Sequence, residues 1–555
     1  MAFTSSRMEK RKVGIWEMEE RISKNYHFKP QVYKELEKWE QKAEKLKWQI
    51  QVTSGIFPEL PKIPIKPVTT GRQVYRGVVI ENVYFESMPG VFVSGNLYYQ
   101  KEHCMIMPAI LNPHGHWDKD RFERTEIVDV PARCMNQARN GMVAFTYDMI
   151  GRGESLQFPH GFRNRNFEEY GISLLGMQLY NSIRCLDFLE SLPFVDSSRI
   201  GCTGASGGGT QTFLLTAVDD RIKAAAPVNM VSFHMQGGCE CENAPGLRIG
   251  TNNVELAALA APRPLMITGC TGDWTCNVPE EEYPALREIY ELYGENNKVE
   301  YYYSDAPHNY RKDVREKVCE WFLEQFFGKG RKYLPEEDFQ IAIESLKVYS
   351  KENVPESQMN LEQFTNSIKK EKQGVCKKMI AEKSGREQLK KALQILFGIE
   401  NQDKSTKDFQ AFEKERKCIL SVGKKREDIP IMKNSGIEKE TDIIHLHCSY
   451  GNHQFYFEQE NAYVFYKSET AKIIQQIIQA AEKIKKNGYQ YVMLCSDEEF
   501  IWECCIAYAL SSQIDGYLSD GKKLEECRGK NFYQPGFEGI GGIKTIEILM
   551  QEKCS

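Results

Sequence analysis

Short apolar runs separated by amphipathic stretches fill the middle of the chain. Residues 76–85 (RGVVIENVYF), 91–99 (VFVSGNLYY), 106–111 (IMPAIL), 142–147 (MVAFTY), 199–203, 223–229, 264–268 and 299–303 are apolar or alternating, which predicts strands. Helical spacing occupies 171–191, 207–218, 280–293 and 311–327. A hairpin followed by strand–helix alternation predicts an α/β domain over 71–330. Its central sheet should be mostly parallel and flanked by helices on both faces.

The flanks differ. In residues 1–70, Trp39, Leu46 and Ile50 fall at helical spacing, and 57–67 (FPELPKIPIKP) carries four prolines. This predicts a helical arm and an extended linker that packs on the next domain. Residues 331–440 are rich in Lys, Glu and Gln and weakly periodic, which predicts a charged, solvated helical connector. Residues 441–555 return to alternation. Strands are expected at 442–448, 453–458, 462–466 and 490–495, and helices at 469–486 and 498–512.

Composition changes the picture little. Among 555 residues, 41% are hydrophobic and 27% charged, and the net charge is −5, so neither nucleic acid nor a membrane is an expected partner. No secretory leader pattern is apparent, and the 17 cysteines are scattered, often in apolar runs. Free thiols in the cytoplasm are therefore expected. A homo-oligomer stays open.

Candidate chemistry begins where the strand at 199–203 runs into Gly204-Ala205-Ser206-Gly207-Gly208 and a helix. G-x-S-x-G at a strand-to-helix turn lifts the Ser above the sheet, and only glycine lets neighbouring backbone come so close. A hydroxyl attacks efficiently only when a base takes its proton, and the α/β-hydrolase order is Ser, acid, His. His308, after the strand at 299–303, is the expected base. Asp273, after the strand at 264–268, is the expected acid, with Asp305 and Glu255 as competitors. The oxyanion donors are expected from the backbone of Gly207 and of Gly115 or His116, in the loop after 106–111. His114, Trp117, Met149, His234, Arg248 and Trp274 are expected to shape the substrate pocket, Arg248 and His234 together with Phe233 and Met235 through the loop around Cys239-x-Cys241. Neither His114/His116 nor Cys239/Cys241 shows a full ligand set at usual zinc spacing, so no metal and no cofactor are expected.

The stretches NPHGHW, YDMIGRGES, GASGGGTQT, GGCECENAPGLR, TGDWTCNVPEEEYP and PHNY, spread over about residues 75–330, make the chain resemble the acetyl xylan esterase-like branch of the α/β-hydrolases, which includes dienelactone hydrolase and cephalosporin-deacetylase relatives. The resemblance implies cofactor-free hydrolysis of a small-molecule or sugar ester, and it supports Ser206, Asp273 and His308 as a catalytic triad. Glucuronoyl esterases carry Arg after the nucleophile, whereas this chain has Gly207, which disfavours uronate esters. A serine peptidase on the same fold and a binding protein with an idle triad are the alternatives.

The last 115 residues repeat the element order of the hydrolase domain. There Asp497 or Glu498 aligns with Ser206, and the flanking glycines are missing. A degenerate hydrolase-like domain without a nucleophile is expected, with His445, His447 and His453 as strand and loop residues.

Overall fold

The structure is a computed structural model, and it describes residues 3–5, 26–102, 106–350, 353–399, 417–423, 442–450, 462–518 and 522–554. The chain divides into two compact units. One comprises Ser23–Asn164 and Ile172–Ile368; the other comprises Met1–Ile22, Arg165–Gly171 and Lys369–Ser555.

The first unit is built on nine described strands: β2 (Val68–Tyr75), β3 (Val78–Met88), β4 (Val91–Gln100), β5 (Met107–Leu111), β6 (Val143–Tyr147), β7 (Val195–Ala205), β8 (Ile222–Val228), β9 (Leu265–Gly272) and β10 (Val299–Pro307). Their spatial order is β10-β9-β8-β7-β5-β6-β4-β3-β2. From β6 through β10 every pairing is parallel, while β2, β3 and β4 form an antiparallel meander joined to β6. Strands β5 (MPAIL) and β6 (VAFTY) are buried at every position because helices cover both faces. Their carboxyl ends converge where the order switches between β5 and β7, the usual place for a site in an open α/β sheet.

Local chemistry starts the helices. Asp129 accepts a hydrogen bond from the Ala132 N–H at 2.8 Å and Pro131 follows at the first turn, opening α2 (Val130–Arg139). Ser173 caps the helix Leu174–Ser191 in the same way, through the Gly176 N–H. The amino-terminal helix α1 (Leu36–Thr53) buries Trp39, Leu46 and Ile50, and Gln49 donates to the carbonyls of Gly246, Leu247 and Ile249 at 2.9–3.1 Å.

Two stretches depart from the sequence expectation. β2 (VTTGRQVY) lies where the linker was expected to end. It is an edge strand with no fully buried residue, so its apolar signal is weak. Residues 331–350 are a packed strap rather than a solvated helical connector. Phe339, Ile341, Leu346 and Val348 are buried, and Asn82 donates to the Ser345 and Lys347 carbonyls. Its alternation is hidden among charged neighbours.

The second unit holds a sheet ordered β1-β12-β11-β13-β14, with β1 (Phe3–Ser5), β11 (Lys417–Gly423), β12 (Asp442–His447), β13 (Tyr491–Ser496) and β14 (Gly516–Tyr517). β11 through β14 are parallel and β1 is antiparallel to β12. β11 falls inside the expected connector, so the α/β region begins earlier than 441. Residues 462–465 form a helical turn rather than a strand, since a short apolar run does not declare its period. The expected strand at 453–458 and His453 lie outside the described residues. After β13, Asp497 has φ −75° and caps the following turn through the Glu499 N–H at 3.1 Å, an extended exit with no elbow. Cys202, Cys270 and Cys495 are buried free thiols.

Candidate active site

Ser206 joins β7 to the helix Gly207–Val218 with φ 57° and ψ −125°. A positive φ in a side-chain-bearing residue is strained and is held only by its surroundings. Here the Ser206 N–H bonds the Val228 carbonyl at 3.1 Å, and its own carbonyl accepts from the Thr210 N–H at 3.0 Å. The flanking glycines allow close approach. A Cβ at Gly204 would lie 2.3 Å from the Pro113 oxygen, and one at Gly208 would lie 2.4 Å from the same atom. The loop after β5 therefore rests directly on the elbow. Gly207 is the first residue of that helix, so its N–H is among the donors a helix leaves unpaired at its start.

His308 follows β10, and its Nδ1 lies 2.6 Å from Asp273 Oδ2. The other Asp273 oxygen accepts from the Thr275 N–H at 2.6 Å and from the Thr275 hydroxyl. Burial pushes the Asp273 carboxyl up, but the bonds from His308 and Thr275 outweigh it and hold the group below the ordinary carboxylate range. His308 Nε2 is buried and takes no hydrogen bond from the described residues. Trp274 and Trp117 flank the ring, with centroids at 4.6 and 5.7 Å. Of the competing acids, Asp305 is exposed and accepts from the Thr271 hydroxyl at 2.8 Å, while Glu255 accepts from the hydroxyls of Tyr33 and Thr251.

The expected pocket residues divide. Met149 abuts the elbow, its Cε 3.1 Å from a Cβ built at Gly207, and His116 lies beside it, with Cε1 at 2.8 Å. His234 stacks on His27 with centroids 4.0 Å apart, and its Nε2 lies 3.0 Å from Asn277 Nδ2. His114 is not a pocket wall. It is fully buried, its Nδ1 donates to the Gly115 carbonyl at 2.8 Å, and its Nε2 accepts from the Met149 N–H at 3.0 Å. Burial pushes its pKa down to about 4, so the ring is a neutral tie between the loops after β5 and β6. Arg248 is also internal, 1% exposed, bonding Asn243, Asn253 and the Glu242 carbonyl. It braces the Cys239–Cys241 segment from within.

That segment meets two imidazoles. His116 Nε2 lies 3.0 Å from both His160 Nε2 and Cys241 Sγ, and Cys239 completes a group whose donor atoms all lie within 4.8 Å of one another. A hydrogen bond with Cys241, joined by those with His116 and His160, holds the Cys239 thiol below the ordinary range despite its burial, while burial and the same bond push the Cys241 thiol up. The fold thus brings together four side chains of metal-ligating type that the sequence spacing did not join. His160 stands 44 residues from His116 and Cys241 stands 125 away, so no spacing motif joins them.

Residues 59–233 match the acetyl xylan esterase (AXE1) family model. The putative hydrolase YtaP of Bacillus subtilis (strain 168) is 27% identical over 173 residues, which is 28% of this chain and 57% of that protein. The chain thus spans little more than half the length of that relative. Among solved structures, methylesterase BT1017 matches with TM-score 0.54 at 29% identity, over 62% of this chain and 78% of its own. A putative acetyl xylan esterase (BF1801) from Bacteroides fragilis NCTC 9343 gives TM-score 0.40 at 18% identity, over 50% and 78%. The chain carries an α/β-hydrolase fold, and residues 59–233 of it are similar to the acetyl xylan esterase family.

Proposed function

We propose that this domain hydrolyses carboxylic esters of small molecules or sugars, with Ser206 as nucleophile, His308 as general base and acid, and Asp273 as the orienting carboxylate. The observation that carries the reading is the His308 ring. Its Nδ1 is engaged by Asp273 at 2.6 Å while its Nε2 is buried and left without a partner among the described residues. An imidazole whose Nδ1 donates to a carboxylate presents a bare Nε2 lone pair, the form that accepts a hydroxyl proton.

In this mechanism Ser206 Oγ attacks the ester carbonyl as its proton passes to His308 Nε2. The oxyanion is met by the Gly207 N–H and by N–H groups of the Gly115–His116 loop. Collapse releases the alcohol, which takes the proton from His308, and leaves the acyl group on Ser206. Water, deprotonated by the same imidazole, then frees the acid.

Acetyl and methyl esters share this chemistry and differ in which fragment leaves first. One relative is a methylesterase by name and the family model is an acetyl esterase, so both classes belong in one substrate panel. Turnover of p-nitrophenyl acetate by the full chain should vanish in Ser206→Ala. Retention of most activity would refute the assignment. Cleavage of peptides with negligible ester turnover would favour the peptidase alternative.

Among the described residues no helix is long and apolar enough to cross a membrane.

A further inference from the structure

We propose that His116, His160, Cys239 and Cys241 bind one zinc ion in a closed tetrahedral site beside the nucleophile elbow. Two imidazole nitrogens and two thiol sulfurs form the borderline-soft donor set that zinc takes in structural sites. Zinc–nitrogen bonds of about 2.0–2.1 Å and zinc–sulfur bonds of about 2.3 Å set tetrahedral donor separations of roughly 3.3–3.8 Å. The four donor atoms lie within 4.8 Å of one another, and two of the pairs stand at 3.0 Å, so small side-chain shifts reach those separations.

The surrounding bonds prepare the ligands. His160 Nδ1 lies 2.5 Å from the Ile150 carbonyl, which can only accept, so Nδ1 carries the proton and Nε2 offers a bare lone pair to the cluster. Glu242 Oε2 accepts from the N–H groups of Gly238 and Cys239 at 2.6 and 3.1 Å, fixing the turn that aims both sulfurs at one point. Glu240 Oε2 accepts from the N–H groups of Phe162 and Arg163 at 3.1 and 3.3 Å, tying the Cys-x-Cys turn to the His160 loop. A carbonyl-fixed histidine and a braced Cys-x-Cys turn are the outer-layer features of a metal site.

With four protein ligands, no position is left for an activated water, so the ion holds structure and does not replace Ser206 as the source of nucleophile. It closes three loops, those after β5, β6 and β8, around the elbow. His116 spans both features. Its Nε2 faces the cluster, and its Nδ1–Cε1 edge lies 3.2 and 2.8 Å from a Cβ built at Gly207. The competing account is a hydrogen-bonded cluster without metal, or a Cys239–Cys241 disulfide.

The test is elemental analysis of the untagged full-length chain, purified without chelator and dialysed after zinc addition. About one zinc per chain is expected, in Ser206→Ala as in wild type, so the result does not depend on the hydrolase reading. His160→Gln and Cys241→Ser should each lower the zinc content at least tenfold. Cobalt loading should give the intense visible bands of tetrahedral cobalt–thiolate. Should either variant fail to fold, alkylation of the wild-type chain decides. Cys239 and Cys241 should resist modification until a strong chelator is added, and both should then react. Less than about a tenth of a zinc per chain, unchanged binding in both folded variants, or a Cys239–Cys241 disulfide by mass spectrometry would overturn the proposal.

Discussion

Asp273→Asn separates geometry from charge in the proposed triad. Thr275 supplies two donors to one Asp273 oxygen, its N–H at 2.6 Å and its hydroxyl, so that position must stay an acceptor. In the variant the amide oxygen is therefore fixed against Thr275. The amide nitrogen turns toward His308 Nδ1, at the position of the present 2.6 Å contact. An N–H facing Nδ1 makes that nitrogen the acceptor and moves the ring proton to Nε2, where it blocks proton uptake from Ser206. Loss of the correct tautomer in a triad costs about 10⁴ in kcat, or about 5.5 kcal/mol of barrier. The hydrogen-bond count is conserved, so stability should fall by less than about 2 kcal/mol. The assay is kcat on p-nitrophenyl acetate, with folding followed by urea denaturation. Asp305→Asn should stay within about twofold of wild type, because that carboxyl is exposed and its contact is local. A loss below about tenfold in Asp273→Asn, or an equal loss in Asp305→Asn, would contradict the reasoning.

Two further outcomes follow from packing and burial. Gly208→Ala places a Cβ 2.4 Å from the Pro113 oxygen and 3.0 Å from the His114 carbonyl carbon, both backbone atoms that cannot swing aside. Overpacking of about 1–3 kcal/mol should exceed the roughly 1 kcal/mol of helix propensity gained. Urea titration should show a net loss of stability and the ester assay a lower kcat; a stabilised, fully active variant would refute this. Burial pushes the Glu282 carboxyl up to about 7, against the bond its Oε1 accepts from the Phe233 N–H at 2.8 Å. Between about pH 4.5 and 7 the folded chain keeps a proton that the unfolded chain releases. Stability should thus fall as pH rises through that window, by up to roughly 3 kcal/mol, and level off above it. Glu282→Gln should remove the slope, and identical pH–stability curves for the two proteins would argue against it.

The parts of the fold most legible in the sequence are strands buried along their whole length or set in regular strand–helix alternation. β5 and β6 are uniformly apolar, so MPAIL and VAFTY announce themselves, and β7 to β10 alternate with helices in the order that a parallel sheet requires. β2 is polar because it is an exposed edge, and β11 is a short run (CILSV) between charged stretches. Neither yields a pattern strong enough to separate it from a linker. The elbow was readable because Gly204 and Gly208 are local requirements, each set by backbone that passes within 3 Å. Side-chain direction was not readable. His114 and Arg248 stand in loops near the site and turn inward, because each finds backbone or amide partners that a sequence does not reveal. The His116–His160–Cys239–Cys241 group was hidden for a related reason: three separate loops contribute to it, and only the folded sheet brings their ends together.

The most direct measurement of the central claim is covalent labelling of the full chain with a fluorophosphonate, followed by peptide mapping. The account predicts a single adduct, on the peptide containing Ser206, that is absent in Ser206→Ala and strongly slowed in Asp273→Asn. No adduct on folded protein, or undiminished labelling of Ser206→Ala, would contradict it.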